Sequence, residues 1–248
     1  MTTPDARRTT HLVDHNALVG PYPFRSLPDP TPARLLADMD RLGIEQAWTG
    51  HVPSAWYRDC AAGNDELFLG LGAHRKRLLP VPCVNPAFPG WEREIARAKT
   101  EQAPAIRTYP AHFGFSAAGS AMAELTAACA ESGLELALTM RFEDGRQKSR
   151  LDNAPDLIGA DVRAAIRSHP KVRLLVTNAD RAIVEEVHWG SAPDESARIR
   201  YDISWIWGAP EDHLGHLQRT VGPDHFVFGT HFPFRLPENA IAKLDLLP

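Results

Sequence analysis

Short runs of apolar residues recur along the chain, and each is followed by a segment whose apolar residues lie three or four positions apart. The short runs have the length of buried strands, and the longer segments have the period of helices with one buried face. Predicted strands cover residues 12–20, 44–49, 78–84, 105–109, 134–140, 172–177, 198–203 and 226–230. Pro80 and Pro82 indicate that the third strand is irregular, because proline has no N–H to donate to a neighbouring strand.

The segments between these strands predict helices. Leu35, Met39 and Leu42 have helical spacing, and Gly43 stands where such a helix would end. Predicted helices cover residues 31–43, 64–76, 89–99, 117–132, 160–168, 180–187, 211–221 and 238–246. A long polar stretch, 141–159, interrupts the alternation after the fifth strand. Its composition is typical of a solvated loop, and its length is also typical of a lid over a site.

Strands that alternate with helices favour parallel βαβ units. Eight such strands match a (β/α)8 TIM barrel, and 248 residues suffice for one domain of this kind, so the sequence predicts a single α/β barrel domain over residues 1–248. An open doubly wound sheet is the alternative. The first strand is not followed by a glycine-rich phosphate loop, which disfavours that alternative.

Charge and hydropathy exclude several kinds of partner. The formal net charge of -4 and the isoelectric point near 6.3 give no reason to expect nucleic acid or an acidic membrane surface. No apolar run reaches the ~20 residues that a bilayer requires. Residues 1–10 contain no apolar core, so we expect neither a signal peptide nor an anchor there.

Cysteine and tryptophan usage adds little chemistry. Cys60, Cys83 and Cys129 are odd in number and lack the spacing of a zinc site, which favours small buried side chains in a protein of the reducing cytoplasm. The tryptophans, Trp205 and Trp207 among them, are predicted to be packing residues.

Motifs near both ends of the chain carry a resemblance. Residues 14–25 read Asp-His-Asn-Ala-Leu-Val-Gly-Pro-Tyr-Pro-Phe-Arg, residues 107–110 read Arg-Thr-Tyr-Pro, and residues 229–234 read Gly-Thr-His-Phe-Pro-Phe. They resemble the first, fourth and last strands of the amidohydrolase-related (amidohydrolase 2) family of TIM barrels. Residues 141–146 and 238–244 are similar to a little-characterised branch of that family, in which histidine replaces aspartate after the last strand.

The resemblance implies metal ligands at five positions: His-x-His on the first strand, one histidine each on the fifth and sixth, and an aspartate on the last. In this sequence the five positions are Asn16, Leu18, Thr139, Asn178 and His231. A catalytic zinc site needs three or more nitrogen, sulfur or carboxylate ligands, so we expect no transition metal and no cofactor here. A shift of one residue in the first strand would turn His15 inward, but the set would still be short of ligands.

Polar residues at the predicted strand ends are the candidate site. His231, Asp14 and Arg141 are candidate catalytic residues, because an imidazole or carboxylate can activate water and a guanidinium can stabilise an oxyanion. The candidate ligand-binding residues are Asn16, Arg25, Arg107, Asp144, Asn178 and Asp202. The alternatives are structural: His231 bonded to a backbone carbonyl, the arginines in ion pairs with nearby carboxylates, and Asn178 filling space with hydrogen bonds.

Three functions remain open: a metal-independent hydrolase of a small carboxylated ester or lactone, a catalytically inactive binding protein, and a metal-dependent hydrolase or decarboxylase whose ligands lie elsewhere. The first two imply a small anionic ligand, and homo-oligomerisation is left open. A His231 near a carboxylate and an arginine would favour the hydrolase. A mouth filled by Leu18 and aromatic side chains would favour the binding protein.

Overall fold

The computed structural model describes residues 11–208 and 210–245, so the prediction for residues 1–10 and the end of the last predicted helix at residue 246 lie outside the described part. Eight strands alternate with helices along this part. The strands are β1 Val13–Val19, β2 Gln46–His51, β3 Leu78–Pro80, β4 Ala105–Thr108, β5 Glu135–Thr139, β6 Leu174–Thr177, β7 Ile199–Asp202 and β8 Phe226–Val227.

Each strand is followed by at least one helix. The α-helices are α1 Pro32–Leu42, α2 Cys60–Leu71, α3 Glu92–Thr100, α4 Pro110–Phe113, α5 Ser120–Ser132, α6 Gly159–Arg167, α7 Arg181–Trp189, α8 Pro193–Ser196, α9 His213–Thr220 and α10 Pro237–Asp245. In the described part, no helix is both long and apolar enough to cross a bilayer.

The strands run parallel, and within each sheet every strand pairs with the next one in sequence. Hydrogen bonds form two sheets, β1 to β3 and β4 to β8. Isolated parallel bridges join the two sheets at both seams: Ala17 with Phe232 beyond β8, and Cys83 beyond β3 with Arg107 on β4. The eight strands therefore follow one another around a ring, and the predicted (β/α)8 fold is confirmed.

Helix α1 illustrates how the sequence forms the outer layer. The Thr31 hydroxyl accepts the backbone N–H of Arg34 at the amino end, and Gly43 ends the helix in the left-handed conformation (φ 71°) that glycine tolerates. Leu35 and Met39, four residues apart, are both buried in the main hydrophobic core. Helix α3 likewise buries Ile95 and Ala98.

The structure departs from the predicted elements at two strands and two short helices. Strand β3 ends at Pro80 and β8 has only two residues, so both are shorter than predicted. The four-residue helices α4 and α8 were not predicted, since they are too short to show a period. The polar stretch after β5 has no strand or helix until Gly159, as expected.

Candidate functional site

Polar side chains from five strands meet on the barrel axis near the carboxyl ends of the strands, where barrels of this type carry their sites. All of them are buried. This axial network consists of Asn16, Arg107, Thr139, Asn178, Asp202 and Ser204. A bulge in β1 between Asp14 and Ala17 places Asn16 in the network, since a bulge redirects side chains locally.

Arg107 provides the positive charge of the axial network. Its side chain is only 1% exposed. The guanidinium donates from Nη1 and Nη2 to Asn16 Oδ1 at 3.1 Å, and from Nη1 to Thr139 Oγ1 at 3.1 Å. Its Nε has no hydrogen-bond partner among the described residues.

Asp202 provides the negative charge. The Asn16 amide donates to Asp202 Oδ2 at 3.1 Å and to Asn178 Oδ1 at 2.8 Å, and the backbone N–H of Asn178 donates to Asp202 Oδ1 at 2.7 Å. The amide of Asn16 therefore links the Arg107 guanidinium to the Asp202 carboxylate. The buried charges of the network compensate each other, which a buried ion must do to be tolerated.

His231 is fully buried against the axial network. Its Nε2 lies 3.1 Å from Asn178 Nδ2, its Nδ1 lies 3.2 Å from Trp205 Nε1, and its ring stacks on Phe234 with centroids 4.8 Å apart. Both nitrogens face N–H donors, and a neutral imidazole accepts at one nitrogen only, so one contact at a time is a hydrogen bond. Burial, and the charges of Arg235 and Arg107, lower the pKa of His231 well below its usual range. The imidazole is therefore neutral, and it forms no ion pair with a described carboxylate.

Asp14 lies at the seam between β1 and β8. Its carboxylate accepts the backbone N–H groups of Asn16 at 2.9 Å and Thr230 at 3.0 Å, and the Thr230 hydroxyl at 2.5 Å. Burial raises the pKa of Asp14 to about 6, and the nearby charge of Asp202 adds to the rise. The carboxylate holds the two strands together.

Asp14 should make the stability of the protein depend on pH. Because the pKa of Asp14 is raised from 3.8 to about 6 on folding, the native state binds the proton more tightly than the unfolded chain. The free energy of unfolding is then expected to decrease as the pH rises from 4 to 6, and Asp14→Asn should remove that part of the decrease. Urea unfolding at several pH values measures it. Asp224→Asn, at an exposed position, is the control and should keep the wild-type dependence; identical profiles for Asp14→Asn and wild type would refute the assignment.

A cavity of about 430 Å³ opens at the carboxyl end of the barrel. We call it the mouth pocket. Its lining residues are Arg25, Phe142, Glu143, Asp144, Arg146, Gln147, Trp205, Trp207, His231, Phe234, Arg235, Leu236 and Asn239. Residues 142–147 of the long polar stretch form one wall, so this stretch covers part of the site as a lid would. The other wall follows β7 and β8.

Two of the three arginines in the mouth pocket have carboxylate partners. Arg25 Nε donates to Glu143 Oε1 at 2.7 Å, and Arg146 Nε donates to Asp144 Oδ1 at 2.8 Å. The hydrogen bond from Arg146 lowers the pKa of Asp144 to about 2, so this carboxylate is ionised.

Arg235 differs from the other two. Its guanidinium lies 4.3 Å from the centre of the Trp205 ring, and it has no carboxylate within 4.0 Å among the described residues. Burial lowers the pKa of Arg235, and the more distant charges of Asp202 and Asp144 partly oppose this effect. The pocket lining thus has three cations and two anions, and Arg235 is the cation without an ion pair among the described residues.

Arg141 does not line the mouth pocket. Its Nε lies 3.3 Å from Asp156 Oδ2, its Nη1 lies 3.3 Å from Asp180 Oδ2, and its guanidinium is 5.4 Å from the Trp205 ring centre. These carboxylates come from the long polar stretch and from the residue before α7. The contacts are those of the structural ion-pair alternative.

An aromatic cluster fills the other half of the mouth. Leu18 is fully buried there, together with Tyr22, Tyr109 and Phe142. The Tyr109 and Phe142 rings stack with centroids 5.1 Å apart. Leu18 Cδ2 would be only 2.8 Å from a Cβ at Gly50, so the side chain is tightly enclosed. Leu18 and aromatic side chains thus fill this half of the mouth, which is the arrangement expected of a binding protein.

The predicted site residues thus fall into three groups. Arg25, Asp144 and His231 line the mouth pocket. Asn16, Arg107, Asn178 and Asp202 meet beneath it in the axial network, whereas Asp14 and Arg141 bond elsewhere. Arg235 was not among the predicted site residues, and Trp205 and Trp207 were predicted only to be packing residues. A basic residue just beyond the 229–234 motif was the available signal for Arg235.

Comparisons with known proteins give the fold. No family model matches the chain, and no curated protein matches it. Among solved structures, 5-carboxyvanillate decarboxylase from Sphingomonas paucimobilis has a TM-score of 0.67 at 14% identity, over 96% of this chain and 93% of that one. A probable 2-pyrone-4,6-dicarboxylic acid hydrolase from Acinetobacter baumannii, with citric acid bound, has a TM-score of 0.63 at 10% identity, over 95% and 91%.

A third structure carries a metal. The 5-carboxyvanillate decarboxylase from Novosphingobium aromaticivorans, complexed with manganese and 4-hydroxy-3-methoxy-5-nitrobenzoic acid, has a TM-score of 0.61 at 16% identity, over 84% of this chain and 72% of that one. These structures of two decarboxylases and a probable hydrolase confirm the predicted resemblance at the level of the fold.

Proposed function

We propose that this barrel binds a small carboxylated molecule in the mouth pocket and that it works without a divalent metal. The observation that carries the proposal is the uncompensated guanidinium of Arg235, half-buried against Trp205 in a pocket that contains two further arginines. A guanidinium in such a place is stabilised when a carboxylate forms a two-pronged hydrogen bond with it.

The axial network supports the absence of a metal. Of the five positions where the resemblance implies ligands, Asn16 and Thr139 accept hydrogen bonds from the Arg107 guanidinium, and Leu18 lies in the aromatic cluster. The His15 ring packs on Trp48, with centroids 4.6 Å apart, and its Nδ1 bonds to backbone carbonyls of Val13 and Phe228. No group of three or more His, Cys, Asp or Glu residues in the described part is arranged to hold a metal ion. These residues do not fit a divalent cation, which the Arg107 charge would also repel.

Several features of the mouth pocket suit a planar or branched carboxylate. Trp207, which is exposed, adds apolar surface to the lining, and pockets of this size commonly enclose small organic ligands. Two of the structures with this fold contain carboxylic acids, citric acid in one and a nitrobenzoic acid in the other. A ligand with one carboxylate would neutralise the excess positive charge of the pocket.

Binding is favoured over catalysis because the pocket has no suitable base among its described residues. His231 is neutral with a strongly lowered pKa, and Asp144 is a weak base with a pKa of about 2. Glu143 is paired with Arg25. A general base works best when its pKa lies near the working pH.

Hydrolysis of a carboxylated ester or lactone is the second candidate function. It is supported by one observation, that His231 lines the mouth pocket beside Arg235. In that arrangement the neutral imidazole would accept a proton from water, and the guanidinium would stabilise the oxyanion.

Calorimetric titration of EDTA-treated protein with citrate and with 2,6-dihydroxybenzoate tests the proposal. We expect both wild type and the control Arg150→Gln, an exposed arginine of the same long stretch, to bind at least one of them. Arg235→Gln should weaken binding ~10–100-fold, because a charge-assisted hydrogen bond contributes ~1.5–3 kcal/mol.

Other outcomes separate the alternatives. Equal affinity in Arg235→Gln and wild type would rule out this pocket as the carboxylate site. Binding that requires added manganese or zinc would overturn the metal-free proposal. Consumption of carboxylated esters or lactones by wild type but not by His231→Ala would favour the hydrolase.

A further inference from the structure

Two of the three cysteines touch each other. The Sγ atoms of Cys60 and Cys83 are 3.7 Å apart. They are separated by more than twenty residues of sequence and come from different elements, Cys60 from the first turn of α2 and Cys83 from the segment after β3. Cys129 is buried elsewhere, in the main core. The prediction that all three are buried is confirmed.

The surroundings hold the two thiols in this contact. The Asn64 side chain, one turn along α2 from Cys60, accepts the backbone N–H of Cys83 at 2.7 Å and donates to the Cys83 carbonyl at 2.9 Å. This double hydrogen bond fixes the backbone of Cys83 against the helix that carries Cys60. Hydrogen bonds between α2 and the segment after β3 therefore hold the two sulfur atoms close together.

A cleft of about 280 Å³ lies near the pair. It is lined by residues on the segments that carry the two cysteines, including Tyr57, Arg58 and Asn85, but by neither cysteine. Cys60 and Cys83 are 4% and 3% exposed, so both are buried. A small peroxide would reach them through local opening of these segments.

We propose that Cys60 and Cys83 form a reversible disulfide when the protein meets a peroxide. In the first step the Cys60 thiolate attacks hydrogen peroxide, the O–O bond breaks, and Cys60 becomes a sulfenic acid while hydroxide takes up the thiol proton as water. In the second step the Cys83 sulfur attacks the Cys60 sulfur, the S–O bond breaks, and a second water leaves. The second step requires the Cys83 sulfur to reach the Cys60 sulfur, which it contacts in the structure, and the Cys83 proton leaves with the water.

The disulfide would link α2 covalently to the segment after β3 at the aromatic cluster. Both cysteines belong to that cluster, and Cys83 forms the backbone bridge to Arg107 at the seam between β3 and β4. A disulfide that closes a chain segment of this length typically raises the melting temperature, by ~5 °C or more for a chain of this size.

Peptide mapping of the native full-length protein tests the proposal. Reduced protein is treated with hydrogen peroxide, alkylated and digested with trypsin without reduction. We expect a linked pair of peptides, 59–75 with 78–93, an intact mass lower by two hydrogens, and a melting temperature that returns to its original value with dithiothreitol.

Variants define the specificity. Cys129→Ser should form the same linked pair, whereas Cys60→Ser and Cys83→Ser should form none. Since wild type is mapped directly, the test does not depend on either variant folding. The proposal is overturned if peroxide adds only oxygen to single cysteines, or if the linked peptides involve Cys129.

Discussion

Replacing Arg107 with methionine is expected to lower the free energy of unfolding by about 3–5 kcal/mol, the usual cost of removing one partner of a buried charged network. Methionine fills much of the volume but donates no hydrogen bond. Asn16 Oδ1 and Thr139 Oγ1 would lose their donor, and the network would lose the cation that is linked to the Asp202 carboxylate through Asn16.

Urea unfolding monitored by circular dichroism measures the effect. Arg173→Met is the matched control, because Arg173 is exposed and donates only to the Gly133 carbonyl, at 3.2 Å. Arg107→Lys should recover only part of the loss, since an ammonium cannot reproduce the two-pronged contact with Asn16. A stability of Arg107→Met equal to that of Arg173→Met would show that the axial charge is not structural.

Much of the fold follows from the sequence because the strands of a barrel are buried on both faces. Short apolar runs therefore identify them, and a glycine such as Gly43 identifies the end of a helix. The boundaries of β3 and β8 were wrong for a different reason. Apolar residues continue beyond Pro80 and Val227, where the regular strand pairing ends, so hydrophobicity alone cannot show where pairing stops.

The site was predictable only in part. Parallel strands bring their carboxyl ends together, so the meeting of Asn16, Arg107 and Asp202 follows from the barrel. The sequence does not show which arginine lacks an ion-pair partner, because the carboxylates that form the ion pairs can lie far from the arginines in sequence. Asp180 neutralises Arg141, whereas no described carboxylate reaches Arg235. The sequence also does not show how deep along the barrel axis each polar side chain lies. This depth distinguishes the residues of the buried axial network from those of the mouth pocket.

The axial network also connects fold to function. The axial network contains a guanidinium that belongs to the chain, and all its close hydrogen-bond acceptors are side chains of the chain. Arg235, which lines the mouth pocket, has no ion-pair partner among the described residues. The proposal of ligand binding rather than turnover depends on this arrangement.

Gly229→Ala is expected to destabilise the protein by about 3 kcal/mol, at the upper end of what overpacking a close-packed core usually costs. A Cβ at this position would lie 2.7 Å from Asp202 Oδ2, 2.8 Å from Asp202 Cβ and 3.1 Å from Asn16 Cβ. Neither neighbour can move away freely, because Asp202 is bonded to Asn16 and to the backbone of Asn178. The backbone of Gly229 is not left-handed, so the cost comes from the clash alone.

Gly70→Ala separates this clash from the general effect of changing glycine to alanine. Gly70 lies in α2, and a Cβ there would meet nothing within 4 Å, so alanine should stabilise the helix by up to about 1 kcal/mol. Chemical denaturation of the two variants should therefore shift in opposite directions from wild type. Equal stability of Gly229→Ala and wild type would mean that Asp202 can leave its hydrogen bonds without a loss of stability. The axial network would then not be a rigid support for the mouth pocket.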